Sequence, residues 1–240
     1  MDQSFKIIIP TYNNEKWIGD CLKSIQKQTY KNLEAIIIDD SSTDKSLKII
    51  KKFCESDNRF QLLNNRTNKG ALNNIITGIE TACKNNEDVI ALLDGDDQLF
   101  NDEALEFVNA IYQENIWLTY GQYVDSGGVV GCNDLIECDS SKIRDVSWRT
   151  SHLRTFKYHL WKKVEDKDLR DRNNGYYEMA WDLAMLYPMI EMAGNERIRF
   201  INKILYIYNT NNPLNDHKKN CNLQLCLARE IKNKQRYEKL

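Results

Sequence analysis

The fold is decided first by the stretch Phe5-Lys6-Ile7-Ile8-Ile9-Pro10, a short apolar run near the start of the chain. Such a run predicts a buried strand, and Pro10 ends it because proline has no N–H to donate to a sheet ladder. The following residues predict a helix, because their apolar side chains recur at the spacing of one helix face. That face consists of Trp17, Ile18, Cys21, Leu22 and Ile25. A buried strand followed by an amphipathic helix is typical of a β-α-β unit.

The same alternation continues outward along the first half of the chain. We predict strands at residues 33–40, 60–63, 89–93 and 116–124. The helices predicted between them cover residues 43–53, 71–83 and 102–113. Parallel strands joined by crossover helices produce this pattern. The predicted fold class is therefore α/β, with a mostly parallel sheet flanked by helices.

The second half has a less regular pattern. Residues 131–145 and 209–222 are polar and predict loops, the first of them mobile and placed over a site. Helices are predicted at residues 152–163, 178–192 and 223–240, and strands at residues 200–201 and 204–208. No internal repeat divides the chain. We therefore predict one domain, residues 1–240, that ends in a region of helices and strands.

Composition limits the partners and the compartment. With 42% hydrophobic residues among 240, the chain can bury one substantial core. Its net charge of -2 and pI near 6.0 give no broad positive field, so nucleic acid is not an expected partner. Seven cysteines without a CxxC pair predict a reduced, cytoplasmic chain. No apolar run approaches the ~20 residues that span a bilayer, so we expect no transmembrane segment and at most peripheral membrane contact.

Acidic residues follow two of the predicted strands. Asp94-Gly95-Asp96-Asp97 places three carboxylates directly after a buried strand. Such crowding raises carboxyl pKa values unless a cation neutralises it, and Mg²⁺ or Mn²⁺ would do so while binding a substrate diphosphate. The alternative is a polar turn that leads into a helix capped by Asp102.

A second acidic pair, Asp39-Asp40, follows the run Ile36-Ile37-Ile38. Two charges at the end of a buried strand need hydrogen-bond donors, which a nucleobase N–H or ribose hydroxyls would supply. The alternative is that one aspartate caps the next helix. Because ligands bind at the carboxyl ends of parallel strands, residues 10–13, 39–41 and 94–97 are expected to share one cleft.

Five short motifs, in this order, resemble those of the inverting GT-A glycosyltransferases of family 2. They are Ile8-Ile9-Pro10-Thr11-Tyr12-Asn13-Asn14-Glu15, Gln28-Thr29-Tyr30, Ile38-Asp39-Asp40-Ser41-Ser42-Thr43-Asp44, Asn68-Lys69-Gly70 and Leu93-Asp94-Gly95-Asp96-Asp97. The resemblance is sharp over residues 5–110 and weaker beyond them. It implies a Rossmann-like GT-A fold, with residues 1–125 binding a nucleotide-diphosphate sugar and residues 126–240 binding the acceptor. It also implies Mn²⁺ or Mg²⁺ as cofactor, a UDP-sugar donor by family habit, and a glycan or other hydroxyl acceptor.

The resemblance assigns roles to single residues of the first half. Pro10, Thr11 and Tyr12 would line the base pocket, and Asp40 would contact the base. Asp94 and Asp96 would flank the ribose and the metal, with Asp97 as a further metal ligand. The complete set of donor-binding candidates is Pro10, Thr11, Tyr12, Asn13, Asp40, Lys69, Asp94 and Gly95.

One loop departs from the family pattern. Where the family often has an arginine after Asn-x-Gly, this chain has Leu72-Asn73-Asn74. Lys69 is the candidate to replace that charge, although lysine lacks the bidentate fork of arginine. The alternative for Lys69 is a solvated loop residue.

Two later segments resemble other parts of the family's site. Asp182 opens an apolar helix and resembles the acid that supplies the catalytic base, with Trp181 in place of the more usual acid before it. An aspartate favoured by the helix dipole is the alternative. His217 resembles a late histidine that completes the metal or diphosphate site, and a solvated loop histidine is its alternative. The metal-ligand candidates are Asp94, Asp96, Asp97 and His217.

His152 and Arg154 lie with Trp161 on the helix predicted at residues 152–163. A polar pair beside an aromatic surface is suited to an acceptor sugar, whereas core packing alone also explains the aromatic side chains. The acceptor-binding candidates are His152, Arg154 and Trp181.

Three other classes of protein remain as alternatives. A nucleotidyltransferase would share the fold type and the acids, but a glycine-rich loop should follow its first strand, and Pro10-Thr11-Tyr12-Asn13-Asn14 contains no glycine. A phosphohydrolase would attack phosphorus with Asp94, but the Thr or Val expected soon afterwards is missing. A non-catalytic sugar-nucleotide-binding protein is the third alternative. We predict an inverting, metal-dependent glycosyltransferase.

Overall fold

A computed structural model of the chain describes residues 2–131, 134–215, 218 and 220–240. Its strands are β1 (Phe5–Thr11), β2 (Leu33–Asp39), β3 (Phe60–Asn64), β4 (Val89–Leu92), β5 (Gln98–Leu99), β6 (Leu118–Asp125), β7 (Arg154–Lys157) and β8 (Ile198–Tyr208). Its α-helices are α1 (Ile18–Gln26), α2 (Ser46–Ser56), α3 (Ala71–Ala82), α4 (Ala104–Tyr112), α5 (Tyr158–Trp161), α6 (Trp181–Ala193) and α7 (Cys221–Lys232). Short 3₁₀ turns cover Ser140–Asp145, Asp166–Leu169 and Asn195–Arg197.

The strands form one sheet in the order β3-β2-β1-β4-β7-β6-β8-β5. The pairs β1–β2, β2–β3, β1–β4 and β6–β8 are parallel. The strand β7 runs antiparallel to both β4 and β6, and β5 runs antiparallel to β8. The carboxyl ends of β1, β2 and β4 therefore meet at one edge of the sheet.

Helices cover both faces of the sheet, which explains why its strands are apolar along their length. Ile8 on β1 packs with α3 and α6 on one face, and its neighbours Ile7 and Ile9 pack with α1 and α4 on the other. Alternate residues of a strand point to opposite faces, so one apolar run contributes to two core layers. The α/β class and the flanked, mostly parallel sheet predicted from the sequence are confirmed.

The C-terminal helix ends at Lys232, so the helix predicted at residues 223–240 is too long. Two further predictions for the second half are wrong. Residues 152–163 do not form one helix, because β7 occupies the middle of the sheet between β4 and β6 and only α5 is helical. The two late strands are one strand, β8, in which the exposed residues Asn202 and Lys203 lie at a shift in register with β6. Strand pairing between distant segments determines both β7 and β8. The spacing of apolar residues within one segment gives no information on such pairing.

No α-helix in the described parts of the chain is both long enough and apolar enough to cross a membrane.

Candidate active site

The carboxyl ends of β1, β2 and β4 open into a cleft of about 980 Å³. Side chains from the second half of the chain close its other side, notably those of Trp148, Trp181 and Tyr208. The candidate residues that line the cleft are Pro10, Thr11, Tyr12, Asp40, Asp94, Gly95, Asp96, Asp97, His152, Arg154, Trp181 and Asp182. Of the remaining candidates, Asn13 and Lys69 lie beside the cleft, and His217 lies outside the described residues.

Asn13 joins two loops at the edge of the sheet. Its backbone N–H donates to Ser42 Oγ at 2.9 Å, and its Oδ1 accepts from the backbone N–H of Thr43 at 2.8 Å. Asn13 has a φ of 53° and Ser41 a φ of 65°, left-handed conformations that asparagine tolerates better than most residues. These contacts fix the loop after β1 against the loop after β2, so Asn13 supports the cleft wall.

Asp40 is buried and holds the turn that precedes α3. Its Oδ1 accepts from Asn65 Nδ2 at 2.8 Å and from the backbone N–H of Lys69 at 2.9 Å. Its Oδ2 accepts from the backbone N–H of Gly70 at 2.9 Å. The side chain also faces the cleft. Lys69 contributes a backbone donor here, while its side chain is exposed.

Gly95 allows the acidic turn to lie directly on the end of β1. A Cβ atom at this position would lie 2.5 Å from Thr11 Oγ1 and 2.7 Å from Thr11 Cβ, closer than such atoms approach. Thr11 is buried and accepts a hydrogen bond from Asn14 Nδ2 at 3.1 Å. Only glycine therefore fits between the two flanking aspartates.

Two acids of this turn, Asp97 and Asp96, have different surroundings. Asp97 is buried, with Oδ2 accepting from the Tyr206 hydroxyl at 2.6 Å and Oδ1 from the backbone N–H of Asn209 at 2.7 Å. Burial raises the pKa of Asp97 well above its usual range, and the charges of Asp96 and Asp94 raise it further. Asp96 Oδ2 accepts from Asn212 Nδ2 at 2.6 Å, and burial raises the pKa of Asp96 as well.

His152 lies beside these acids. One ligand atom each from Asp94, Asp97 and His152 lie within 4.8 Å of one another. The imidazole stacks on the rings of Tyr206 and Tyr208, with centroid distances of 4.4 Å and 5.5 Å. Burial and the nearby charge of Arg154 lower the pKa of His152 well below its usual range. The ring is therefore neutral at physiological pH.

Asp182 enters the cleft from the first turn of α6. Its Oδ2 accepts from Arg154 Nη2 at 2.9 Å, and the Asp182 side chain keeps 19% of its exposure. Ala180, two residues earlier, has a φ of 54°, an uncommon conformation for a residue with a Cβ. Arg154 is the first residue of β7 and His152 lies in the bend before it, and both side chains line the cleft.

Several residues of the cleft were missed by reasoning from the sequence. Trp148 contacts Tyr187 edge-on at 5.2 Å and comes from residues 146–151, where no element was predicted. Asn212 binds Asp96 and comes from the polar loop predicted at residues 209–222. One sequence pattern could have indicated this side of the cleft. Tyr206 and Tyr208 are two residues apart on β8 and therefore share a strand face.

Comparison with known proteins identifies the family of the chain. The family model for glycosyl transferase family 2 matches residues 6–167. An uncharacterized glycosyltransferase of Haemophilus influenzae is 40% identical over 119 residues, which cover 49% of this chain and 46% of that protein. The chain spans half or less of the length of the first curated relatives it matches.

Solved structures show the same fold at lower identity. Residues 1–349 of S. aureus TarS in complex with UDP-GlcNAc match with a TM-score of 0.67 and 22% identity, covering 88% of this chain and 59% of that one. The mannosyltransferase PcManGT of Pyrobaculum calidifontis, in complex with GDP-Man and Mn²⁺, matches with a TM-score of 0.57 and 17% identity, covering 90% and 59%. The fold is that of GT-A glycosyltransferases, and the chain belongs to glycosyl transferase family 2.

Proposed function

We propose that the chain transfers a sugar from a nucleotide-diphosphate donor, a UDP-sugar, to a hydroxyl acceptor such as a glycan, with inversion at the anomeric carbon. The observation that carries this proposal is the charge of the cleft. Among the described residues that line it, Arg154 is the one lysine or arginine, against seven aspartates and glutamates. A diphosphate enters such a cleft only with a cation that offsets the acids.

The residues fit a divalent cation. Asp94, Asp96 and Asp97 offer the oxygen ligands that Mn²⁺ and Mg²⁺ prefer. Burial raises the pKa values of Asp96 and Asp97, and the charges of Asp96 and Asp94 raise that of Asp97 further. The complex of PcManGT with GDP-Man and Mn²⁺, a protein of the same fold, supports this assignment. When bound, the cation would neutralise the diphosphate and stabilise the leaving nucleotide.

The donor would bind at the ends of β1, β2 and β4. The complex of TarS with UDP-GlcNAc supports a UDP-sugar as the donor class. Tyr12 is exposed at the cleft wall and presents a flat ring for a base, while Asp40 lies at the same wall. In this proposal residues 1–125 carry the donor half of the site and residues 126–240 the acceptor half.

Asp182 would act as the general base. Its carboxylate takes the proton of the acceptor hydroxyl while that oxygen attacks the anomeric carbon from the face opposite the diphosphate. The bond from the anomeric carbon to the diphosphate oxygen breaks in the same step, and the nucleoside diphosphate leaves with the electron pair. Arg154 orients the carboxylate through its 2.9 Å hydrogen bond, and Trp181 and His152 line the same cleft.

The test is incubation with a panel of nucleotide sugars, Mn²⁺ and candidate acceptors. A glycosyltransferase releases nucleoside diphosphate, and NMR of the product shows an inverted anomeric configuration. Release of a sugar 1-phosphate, with the nucleotidyl group transferred, would instead indicate a nucleotidyltransferase. Binding of nucleotide sugar without turnover on any acceptor, and without donor hydrolysis, would indicate a non-catalytic binding protein.

A further inference from the structure

Three tyrosine side chains contact the ring of His152 and fix its position. His152 is only 8% exposed and stacks almost parallel to Tyr206 and Tyr208, at interplanar angles of 16° and 17°. Tyr123 contacts it edge-on, with a centroid distance of 6.1 Å. Aromatic contacts on this scale fix the plane of the imidazole and therefore the directions of its nitrogens.

His152 lines the cleft, and neither of its nitrogens is a fully buried atom without a partner. The atoms that are near it are ligand atoms of Asp94 and Asp97, all within 4.8 Å of one another. Two carboxylate oxygens and an imidazole nitrogen at this spacing can close around one ion with small movements.

One residue, Tyr206, fixes both the carboxylate of Asp97 and the ring of His152. Asp97 is oriented by Tyr206 and Asn209 in the way that hydrogen-bonded carboxylates are usually fixed around metals. Tyr206 thus holds Asp97 by its hydroxyl and His152 by its ring.

We infer that His152 is a nitrogen ligand of the divalent cation together with Asp94 and Asp97, and that the site favours Mn²⁺ over Mg²⁺. The inference rests on the proposed function, which supplies the cation. Mg²⁺ is a hard ion that keeps oxygen ligands, whereas first-row transition ions accept imidazole nitrogen as well. His152 therefore belongs to the metal side of the cleft in this assignment, and not to the acceptor side.

The experiment detects the nitrogen directly. Mn²⁺ alone is added to the full chain, and pulsed EPR measures the ¹⁴N coupling of the bound ion. The chain has three histidines, so the double variant His159→Phe/His217→Ala leaves His152 as the only imidazole. We expect the double variant to keep the nitrogen coupling of the wild type. Loss of the coupling in this variant, or bound Mn²⁺ without nitrogen coupling in the wild type, would overturn the inference.

The complementary variant is His152→Phe, which keeps a flat ring between the tyrosines and removes both nitrogens. We expect it to lose the coupling and to weaken Mn²⁺ binding by roughly 10–100-fold, with a smaller change for Mg²⁺. The matched control is His159→Phe, since His159 contacts Trp117 and does not line the cleft. Equal affinities for Mn²⁺ in His152→Phe and the wild type would contradict the assignment, provided thermal unfolding shows a folded variant.

The outcomes separate the inference from the proposed function. A wild type that binds Mn²⁺ through nitrogen but turns over no nucleotide sugar would overturn the function and leave the ligand assignment. A wild type that turns over nucleotide sugar with Mn²⁺ but shows no nitrogen coupling would overturn the ligand assignment alone. Absence of measurable Mn²⁺ binding to the wild type would overturn the inference whatever the turnover.

Discussion

Arg154 Nη2 lies 2.9 Å from Asp182 Oδ2, and this ion pair joins β7 to the first turn of α6 inside the cleft. Arg154 is buried, whereas the Asp182 side chain keeps 19% of its exposure. A guanidinium on one carboxylate oxygen fixes the group and leaves the carboxylate accessible from the cleft. In the proposed mechanism Asp182 is the general base and Arg154 is the residue that positions it.

The first prediction concerns Asp182. Asp182→Asn keeps the shape of the side chain and removes its basicity, so we expect turnover to fall by about 10²–10⁴-fold. UDP affinity, measured by calorimetry, should change little, because Asp182 enters the cleft from the second half of the chain. The matched control is Glu178→Gln, which also lies in the cleft wall. Turnover within a few-fold of wild type would move the base to another acid, with Glu178 tested first and Asp171 second.

Arg154 should act through Asp182. Arg154→Lys keeps a positive charge but loses the planar fork, so the carboxylate is held in a less defined orientation. We expect a lower kcat, with the KM for the donor nearly unchanged. A parallel rise in donor KM would show that Arg154 contacts the donor itself, and the double variant with Asp182→Asn should then be slower than Asp182→Asn alone.

Asp40 is expected to affect both nucleotide binding and stability. Asp40→Asn replaces an acceptor oxygen by an NH₂ group, so one side of the turn formed by Asn65, Lys69 and Gly70 loses its buried partner. An unpaired group of this kind costs about 1–3 kcal/mol, measurable by urea unfolding. Calorimetry should show weaker UDP binding than in the wild type. Unchanged UDP affinity would show that Asp40 stabilises the turn and does not bind the nucleotide.

Gly95→Ala tests the contact between the acidic turn and β1. The new methyl group would meet Thr11 at 2.5 Å, so the turn or the strand end must shift. We expect a loss of about 1–3 kcal/mol in the free energy of unfolding, because overpacking of a rigid site strains it. The control is Gly19→Ala on α1, where the nearest atom lies 3.8 Å away and alanine should be neutral or stabilising. Equal free energies of unfolding for the two variants would contradict the close contact between Gly95 and Thr11.

The part of the cleft at the ends of β1, β2 and β4 could be predicted from the sequence because it is local. Each of these strands is an apolar run with a proline or an acid at or within two residues of its end, and parallel strands bring such ends together. Asp94, Asp96 and Asp97 were therefore found with their element and their edge of the sheet.

The other side of the site depends on pairings that no single segment reports. Leu153, Phe156 and Leu160 fit a helical spacing, yet β7 lies between β4 and β6 as a buried strand. That error also placed His152 within a helix, whereas it lies in the bend that precedes β7. The contact of Asn212 with Asp96 has no sequence signal, since one asparagine in an asparagine-rich loop looks like its neighbours.

The last prediction concerns pH and the cation. Burial raises the pKa of Asp96 and Asp97 above the value of about 3.9 expected in the unfolded chain. Folded protein then binds more protons than unfolded protein, so these groups lower the free energy of unfolding as pH rises from that value through their folded pKa values. The lowered pKa of His152 acts in the opposite direction, with stability lost as pH falls below about 6.5. Comparing the same pH with and without Mn²⁺ therefore isolates the groups that bind the cation, which in this proposal are the acids and His152.

A cation binds the deprotonated carboxylates, so Mn²⁺ should stabilise the chain more at neutral than at acidic pH. At a free concentration about 100-fold above its Kd, the gain should reach about 2.7 kcal/mol at neutral pH. Thermal unfolding with Mn²⁺ or with EDTA, repeated across this range, measures the difference in Tm. Asp97→Asn should lose most of the response while keeping its bond to Tyr206 through the remaining oxygen. An equal Mn²⁺ effect at every pH, or in Asp97→Asn and the wild type, would show that the ion binds elsewhere.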